Sequence, residues 1–281
     1  MEKNFLLGLG CQKGGSTWLY NYLKAHPNVN MGFTKEYHFF DAVLGGKKEV
    51  LIEAAREKSS NFMNVHKNVS ENCDFNLDLI NFYQNPRAYF EYFDGLFKRD
   101  KNVNVAGDLT PEYALLSESD FRQIKQMFAD FGFNLQILFV MREPVERIWS
   151  AVRMHRKIYP HQFSPTDTRT DEELVASRYK RSDIEARTRY EKTIRTIEKV
   201  FEPSQIHYEF FERLHTPAAM TKICDFLNVP FQPPKFAEKI NGQEKTGRLS
   251  DKVRETIVDY YSNTYNFVFD KFSGEKIDEI W

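Results

Sequence analysis

The most constraining feature of this sequence is its opening run, FLLGLGCQKGGSTWL, at residues 5–19. An apolar segment at residues 5–9 leads into a glycine-rich loop, and an amphipathic stretch begins at Thr17. Glycine lets backbone N–H groups approach an anion closely, and a helix N-terminus adds the positive end of its dipole. Lys13 supplies a full charge, while Ser16 and Thr17 supply hydroxyl donors. The run therefore predicts a buried strand, a phosphate-binding loop and a helix.

Two known nucleotide-binding patterns do not fit this run, because each of them differs from it at a residue on which its chemistry depends. A kinase-type phosphate loop places lysine between its last glycine and the hydroxyl residue, whereas here Gly15 directly precedes Ser16. A dinucleotide fingerprint needs a glycine where this chain has Lys13. The run KGGSTWL instead resembles the 5′-phosphosulfate loop of sulfotransferases that use 3′-phosphoadenylyl sulfate (PAPS). On the loop alone, a glycine-rich turn that binds nothing remains an alternative.

Apolar runs alternate with helical patterns along the chain. Strands are predicted at residues 5–10, 29–33, 103–107, 135–141 and 206–211, and the helices at residues 17–25, 48–58, 86–97, 121–131, 183–201, 216–227 and after a cap at Ser250. Such alternation predicts an α/β fold in which helices flank a central parallel sheet. The 281 residues fit one large domain, 1–281.

Composition narrows the partners and the compartment. The net charge is −1, from 39 basic and 40 acidic residues, so no overall field favours nucleic acid. Cys11, Cys73 and Cys224 are far apart and odd in number, which gives neither a disulfide framework nor a metal-binding spacing. No stretch approaches the about 20 apolar residues that span a bilayer, and the N-terminus lacks a secretory pattern. We expect a cytoplasmic protein without nucleic-acid or membrane partners, and its oligomeric state stays open.

The segment at residues 137–156, ILFVMREPVERIWSAVRMHR, carries the second motif. Arg142 follows a predicted buried strand, where open α/β sheets bind ligands, and its guanidinium matches phosphate oxygens. The segment resembles the 3′-phosphate motif of sulfotransferases, a hydrophobic strand followed by R-[DE]-P-x-x-R-x-x-S. This resemblance implies that Arg142 and Ser150 bind the 3′-phosphate of PAPS. Arg147 either supports the site by its charge or points to solvent.

Residues 35–41, KEYHFFD, look like the K-E-x-H-F-F-D segment of the heparan sulfate 3-O-sulfotransferase branch and its bacterial relatives. In that branch the glutamate is the catalytic base, and the histidine and aspartate lie around the acceptor. Sulfuryl transfer requires the acceptor to lose a proton, which a carboxylate or a near-neutral imidazole can take. We favour Glu36 over His38 as the base and place Asp41 on the acceptor side. Lys13 would neutralise charge on the bridging oxygen.

Two further segments match the family, one of them with a departure. Residues 108–113, DLTPEY, resemble its E-K-[ST]-P-x-Y stretch, but Leu109 replaces the family lysine. That loss leaves Lys13 as the main catalytic cation, and Asp108 either serves the acceptor side or is a polar strand end. The second segment resembles the late basic loop that folds over the 3′-phosphate and comprises Lys245, Thr246, Gly247 and Arg248.

Taken together, the motifs predict a single-domain sulfotransferase with a fold like that of P-loop kinases. It would move a sulfuryl group from PAPS to a hydroxyl or amine-type group of a small metabolite and release PAP, without a metal. A carbohydrate acceptor, a nucleotide kinase or NTPase, and a non-catalytic PAP-binding protein are the alternatives. Residues 45–100 and 158–182, where the resemblance is weakest, are predicted acceptor-side insertions. The predicted donor-binding residues of the loop are Lys13, Gly14, Gly15, Ser16, Thr17 and Trp18.

Overall fold

A computed structural model describes residues 3–65, 75–159, 167–233 and 248–281. Within these residues one parallel sheet has the strand order β2-β3-β1-β4-β5. Its strands are β1 (Lys3–Gly8), β2 (Val29–Asn30), β3 (Val105–Leu109), β4 (Phe133–Met141) and β5 (Ile206–Phe210). The α-helices are α1 (Ser16–Ala25), α2 (Phe39–Val43), α3 (Lys48–Val65), α4 (Phe75–Gln84), α5 (Pro86–Arg99), α6 (Glu118–Asp130), α7 (Pro144–Ile158), α8 (Asp171–Arg178), α9 (Ser182–Ala186), α10 (Tyr190–Glu198), α11 (Phe211–Leu214), α12 (Pro217–Leu227), α13 (Asp251–Tyr260) and α14 (Ser262–Lys271).

The predicted α/β class is confirmed, because helices cover both faces of a parallel sheet. Strand β1 is central and pairs with β3 on one side and β4 on the other. The glycine-rich loop after β1 therefore leaves the middle of the sheet, at the edge where the strands end. Among the described helices, none combines the length and the apolar character needed to cross a bilayer.

The two faces of the sheet bury different side chains, because neighbours along a strand point to opposite sides. On one face, Leu6 and Leu138 pack with Leu19 of α1 and Ile223 of α12. The other face holds an aromatic cluster built on Phe5, and its buried members include Phe39, Phe40, Tyr89, Phe90, Phe93, Tyr113 and Phe128. The high aromatic content of this chain thus serves mainly the core.

The long helix predicted at residues 183–201 is wrong, because the chain breaks between α9 and α10. Nη2 of the buried Arg147 donates to the Ile184 carbonyl at 3.2 Å and to Thr188 Oγ1 at 2.7 Å. Thr188 Oγ1 itself donates to the Ile184 carbonyl at 2.6 Å. In a continuous helix that carbonyl would accept the amide of Thr188, so these side chains replace the helical bond. Arg147 is fully buried, which excludes the alternative that it points to solvent.

The region predicted as an acceptor-side insertion at residues 45–100 divides into two parts. Helix α3 is largely exposed over residues 48–60, whereas α5 is amphipathic and places Tyr89, Phe90 and Phe93 in the aromatic cluster. Phe82 and Tyr83 of α4 join the same cluster. The second part therefore belongs to the core, and the role of this region in acceptor binding stays a prediction.

Candidate active site

The glycine-rich loop is anchored to β4 and tightly packed. The Leu9 amide donates to the Leu138 carbonyl at 2.8 Å, and the Cys11 amide donates to the Val140 carbonyl at 2.7 Å. A Cβ added at Gly14 would lie 2.8 Å from the Cys11 sulfur, so only glycine fits there. Gly15 has a φ of 87°, a left-handed conformation that glycine adopts readily. Backbone bonds to β4 and close packing thus fix the loop, and Lys13 shares the left-handed conformation with a φ of 74°.

Helix α1 begins at Ser16 without a side-chain cap. Gly15 is its N-cap residue, and the first turn contains no acidic side chain. The first amide groups of a helix lack partners within the helix and carry the positive end of its dipole. Beside a loop that carries Lys13, this helix end favours an anionic group.

Arg142 brings the two predicted donor motifs into contact. Its Nη1 donates to the Lys13 carbonyl at 3.0 Å, and its guanidinium lies 4.3 Å from the centre of the Phe211 ring. The side chain is only 12% exposed, and its Nε has no hydrogen-bond partner within the described parts of the chain. A buried guanidinium with an unused donor beside the loop suits a phosphate oxygen.

Helix α7 begins with Pro144, and its buried side is formed by an apolar stripe of Val145, Ile148, Trp149 and Val152. The carboxylate of Glu143 caps the helix by accepting from the amides of Val145 and Glu146, at 3.1 and 2.7 Å. Ser150 is half-buried and lies off the apolar stripe, and its contact with the 3′-phosphate stays a prediction.

Lys13 lies in a strongly positive environment. Its pKa is lowered by burial first, and then by the nearby charges of Arg142, Arg153 and Lys35. The carboxylate of Glu36 acts in the opposite direction on the same pKa. The segment at residues 35–41 lies at the same edge of the sheet as the loop, since the His38 amide is 3.4 Å from Thr110 Oγ1 and the Thr110 amide donates to the Gly8 carbonyl at 3.1 Å. Positive charge is thus concentrated around the glycine-rich loop.

Residues 35–41 bring four acidic and basic side chains together. His38 Nδ1 is 2.6 Å from the Asp41 carboxylate, and His38 Nε2 is 3.8 Å from the Glu36 carboxylate. Lys35 forms an ion pair with the other oxygen of Glu36. Burial lowers the pKa of His38, but the hydrogen bond and the charge of Asp41 outweigh it, so this pKa is raised. Asp41 is 2% exposed and therefore orients His38 rather than contacting an acceptor directly.

Asp108 lies beneath this segment, which corrects its predicted place at the acceptor. Its fully buried carboxylate accepts from Tyr113 Oη at 2.6 Å, Thr110 Oγ1 at 2.7 Å and Tyr89 Oη at 3.1 Å. Burial raises the pKa of Asp108, and these three donors oppose the rise. Tyr113 stands in the DLTPEY pattern, but nothing in the sequence singled out Tyr89.

Leu109, which replaces the family lysine, points to the opposite face of the sheet. It is buried in the apolar cluster that contains Leu6 and Trp18. A Cβ added at Gly8 would lie 2.6 Å from the Leu109 Cγ, so glycine at that position makes room for this leucine. No cation replaces the lysine at this strand position.

Two other residues of the predicted donor region have packing roles. The Trp18 side chain is buried and lies edge-on to His215, with 4.6 Å between the ring centres. Only its backbone is therefore available to a ligand, and its assignment as a donor-binding residue stays a prediction. Cys11 is buried too, and burial raises the pKa of its thiol to about 11. A neutral, buried thiol behaves as a small apolar residue that fills space beside the loop.

The late basic loop is described only at its end. Lys245, Thr246 and Gly247 lie outside the described residues. Arg248 is exposed and forms an ion pair with Asp251 at 3.2 Å. It precedes Ser250, whose side chain caps α13 by accepting from the Val253 amide, as predicted. The assignment of this loop to the 3′-phosphate stays a prediction.

Comparisons with known proteins agree with the motifs. A model described as the sulfotransferase family matches residues 6–233. A search of curated protein sequences found no match. Among solved structures, the chain is similar to a sulfotransferase from Alicyclobacillus acidocaldarius, with 18% identity, a TM-score of 0.60 and coverage of 96% of this chain and 95% of that one. It is also similar to the sulfotransferase domain from the curacin biosynthetic pathway, with 17% identity, a TM-score of 0.53 and coverage of 97% and 98%.

Proposed function

This chain belongs to the sulfotransferase family, and from that premise we propose that it transfers a sulfuryl group from PAPS to a hydroxyl or amine-type group of a small metabolite. The observation that carries the proposal is the hydrogen bond from Arg142 Nη1 to the Lys13 carbonyl, at 3.0 Å. It joins the loop suited to a phosphosulfate to the arginine suited to a second phosphate. A donor with phosphate groups at two positions, such as PAPS, requires this pairing.

The donor half of the site fits PAPS through its backbone and its cations. The loop amides and the start of α1, with the hydroxyls of Ser16 and Thr17, would bind the 5′-phosphosulfate. Arg142 would bind the 3′-phosphate through its unused Nε, with Ser150 as the second group. Lys13 would neutralise the negative charge that grows on the bridging oxygen as the sulfuryl group departs.

The acceptor half supplies the proton chemistry. Glu36 is the proposed base, because its carboxylate lies close enough to Lys13 to affect the lysine pKa and is partly exposed to an incoming acceptor. His38 stands beside it and is oriented by Asp41. When Glu36 takes the proton of the acceptor hydroxyl or amine, the nucleophile forms next to the group that it attacks.

We favour a small metabolite over a carbohydrate as the acceptor. Leu109 leaves no cation at the position of the family lysine, since its side chain packs into the core. Sulfated and carboxylated glycans are strongly anionic and need such cations for binding. A nucleotide kinase or NTPase is disfavoured by the family match and by the position of Lys13, which precedes the two glycines.

The test combines a binding assay with a search for product. We expect PAP to raise the melting temperature of the protein by several degrees, and ATP with Mg²⁺ to raise it less. Incubation with PAPS and metabolite extracts should yield a product heavier by one sulfuryl group, detected by mass spectrometry, together with PAP. A response to ATP with Mg²⁺ but not to PAP would favour the kinase alternative. Binding of PAP without any sulfated product would identify a non-catalytic PAP-binding protein.

A further inference from the structure

We infer that Tyr113 and Thr110, held by the buried carboxylate of Asp108, are positioning residues that keep Glu36 and His38 in the geometry for proton removal. The inference deepens the proposed function and rests on it. None of the three side chains needs to touch the acceptor, since Asp108, Thr110 and Tyr113 are all fully buried. They act on the backbone of the segment that carries the proposed base.

Two hydrogen-bonded relays connect this segment to Asp108. The Phe39 amide donates to Tyr113 Oη at 2.9 Å, and Tyr113 Oη donates to the Asp108 carboxylate at 2.6 Å. The His38 amide lies 3.4 Å from Thr110 Oγ1, which donates to Asp108 at 2.7 Å. An ionised carboxylate only accepts hydrogen bonds, so it draws both hydroxyl protons toward itself. The lone pairs of both hydroxyl oxygens are thereby left for the two amides.

The segment needs such support because its backbone is strained. Glu36 and His38 have φ values of 63° and 51°, in the left-handed region that residues other than glycine rarely adopt. Tyr37 lies between them, with its ring fully buried and its carbonyl accepting from Tyr83 Oη at 2.8 Å. Strained backbone persists only where surrounding contacts hold it. Here the hydroxyls of Thr110, Tyr113 and Tyr83 are those contacts.

The same contacts determine where Asp41 lies. Helix α2 begins at Phe39, so the bond from the Phe39 amide to Tyr113 fixes the first turn, which contains Asp41. Asp41 in turn holds His38 at 2.6 Å. Removing the Tyr113 hydroxyl would therefore loosen His38 from two sides, through its own backbone and through its carboxylate partner.

The relays also connect the acceptor segment to the donor loop. Thr110 follows β3, and its amide donates to the Gly8 carbonyl at the end of β1, at 3.1 Å. The loop that carries Lys13 begins directly after Gly8. Thr110 thus contacts the donor side of the site through its backbone and the acceptor segment through its hydroxyl. Removing the hydroxyl alone should therefore affect turnover more than donor affinity.

The test compares two tyrosines that bind the same carboxylate. Tyr113→Phe removes the hydroxyl that links Phe39 to Asp108. Tyr89→Phe also removes a hydrogen bond to Asp108, but within the described parts of the chain the Tyr89 hydroxyl makes no hydrogen bond to residues 35–41. We expect Tyr113→Phe to lower kcat about 10- to 100-fold, with the PAP dissociation constant changed less than about twofold. Tyr89→Phe should lower kcat less than about threefold. Equal losses in the two variants would overturn the inference, because they would show a general effect of Asp108 on stability.

A second measurement does not depend on turnover. We expect the imidazole titration of His38, followed by NMR, to move toward lower pH in Tyr113→Phe and to stay unchanged in Tyr89→Phe, since only the first variant frees His38 from Asp41. Thr110→Ser should behave as the wild type, while Thr110→Val should share part of the loss. An unchanged His38 titration in Tyr113→Phe would contradict the positioning role. If the wild type sulfates no acceptor, the proposed function fails while the titration still reports on the relays.

Discussion

The donor loop and the acceptor segment both use left-handed backbone, but they stabilise it differently. In the donor loop, Gly15 adopts this conformation readily, Lys13 adopts it with a φ of 74°, and backbone bonds to β4 and one bond from Arg142 hold the chain. In the acceptor segment, Glu36 and His38 adopt it, and hydroxyl groups from α4 and the turn after β3 hold them. The donor loop is thus held mainly by backbone bonds and a single arginine, whereas the acceptor segment depends on several hydroxyl side chains far along the chain.

Because of this difference, we expect substitutions in the two halves of the site to have different effects. In the proposed function, donor binding would use several amides together with cations, so the loss of one side chain should weaken affinity without abolishing it. The acceptor half relies on one proposed base in one strained conformation. Substitutions there should lower turnover steeply while donor affinity stays nearly constant.

The largest effect is expected for the proposed base. Glu36→Gln keeps the size of the side chain but cannot accept the proton, so kcat should fall about 1,000-fold with PAP binding nearly unchanged. His38→Ala should cost less, about 10-fold, because its proposed role is to support Glu36. Steady-state kinetics and calorimetry with PAP measure the two effects. Turnover that survives in Glu36→Gln and is lost in His38→Ala would make His38 the base.

A smaller loss of turnover is expected for the donor cation. Lys13→Met keeps the length of the side chain and removes the charge that would neutralise the leaving oxygen, so kcat should fall about 100-fold. Lys24→Met, at the exposed far end of α1, is the matched control and should leave kcat unchanged. A Lys13→Met variant with full turnover would move the neutralising role to another cation of the site, such as Arg153.

Next in size is an effect on donor affinity. Arg142→Gln removes a guanidinium that bonds the Lys13 carbonyl and offers its Nε to a phosphate, so PAP should bind about 10-fold more weakly. Arg87→Gln, on the exposed face of α5, is the control for a general change of charge. Calorimetry at two salt concentrations separates the loss of the arginine's direct contact with the phosphate from the effect of net charge, which salt screens. Equal weakening in both variants would show that only net charge matters.

The fold and the donor half could be predicted because their signals are contiguous in the sequence. The positions of all five strands follow from apolar runs, and Arg142 is marked by the strand before it and the proline that follows Glu143. Pro144 and Ser250 mark helix starts by local chemistry. These features need no knowledge of distant residues.

The acceptor half and the break after α9 could not be predicted in the same way. Asp108 looked like an acceptor-side carboxylate, because its partner Tyr89 is 19 residues away and carries no local signal. Likewise, the helical pattern at residues 183–201 gives no information about Arg147, which lies on α7 and donates a hydrogen bond to the Ile184 carbonyl. Long-range hydrogen bonds made by side chains determine both outcomes, and the periodicity of the sequence gives no information about such bonds.

The smallest expected effect concerns pH and tests the hydrogen bond between His38 and Asp41. Burial lowers the pKa of His38, yet Asp41 raises it above the ordinary value of 6.5. The folded protein therefore binds this proton more tightly than the unfolded chain does. The resulting stabilisation is complete below that ordinary value and is lost as the pH rises through the pKa of the folded state.

We expect the free energy of unfolding of the wild type to exceed that of His38→Gln most at low pH, and the excess to shrink as pH increases from roughly 5 to 9. Urea unfolding of both proteins across this pH range measures the difference in their free energies of unfolding. Groups that titrate alike in both proteins contribute equally and cancel in this difference. An excess that grows with pH would mean that His38 is held neutral in the folded state. The imidazole, rather than Glu36, would then be the better candidate for the base, because a neutral ring can accept the proton of the acceptor.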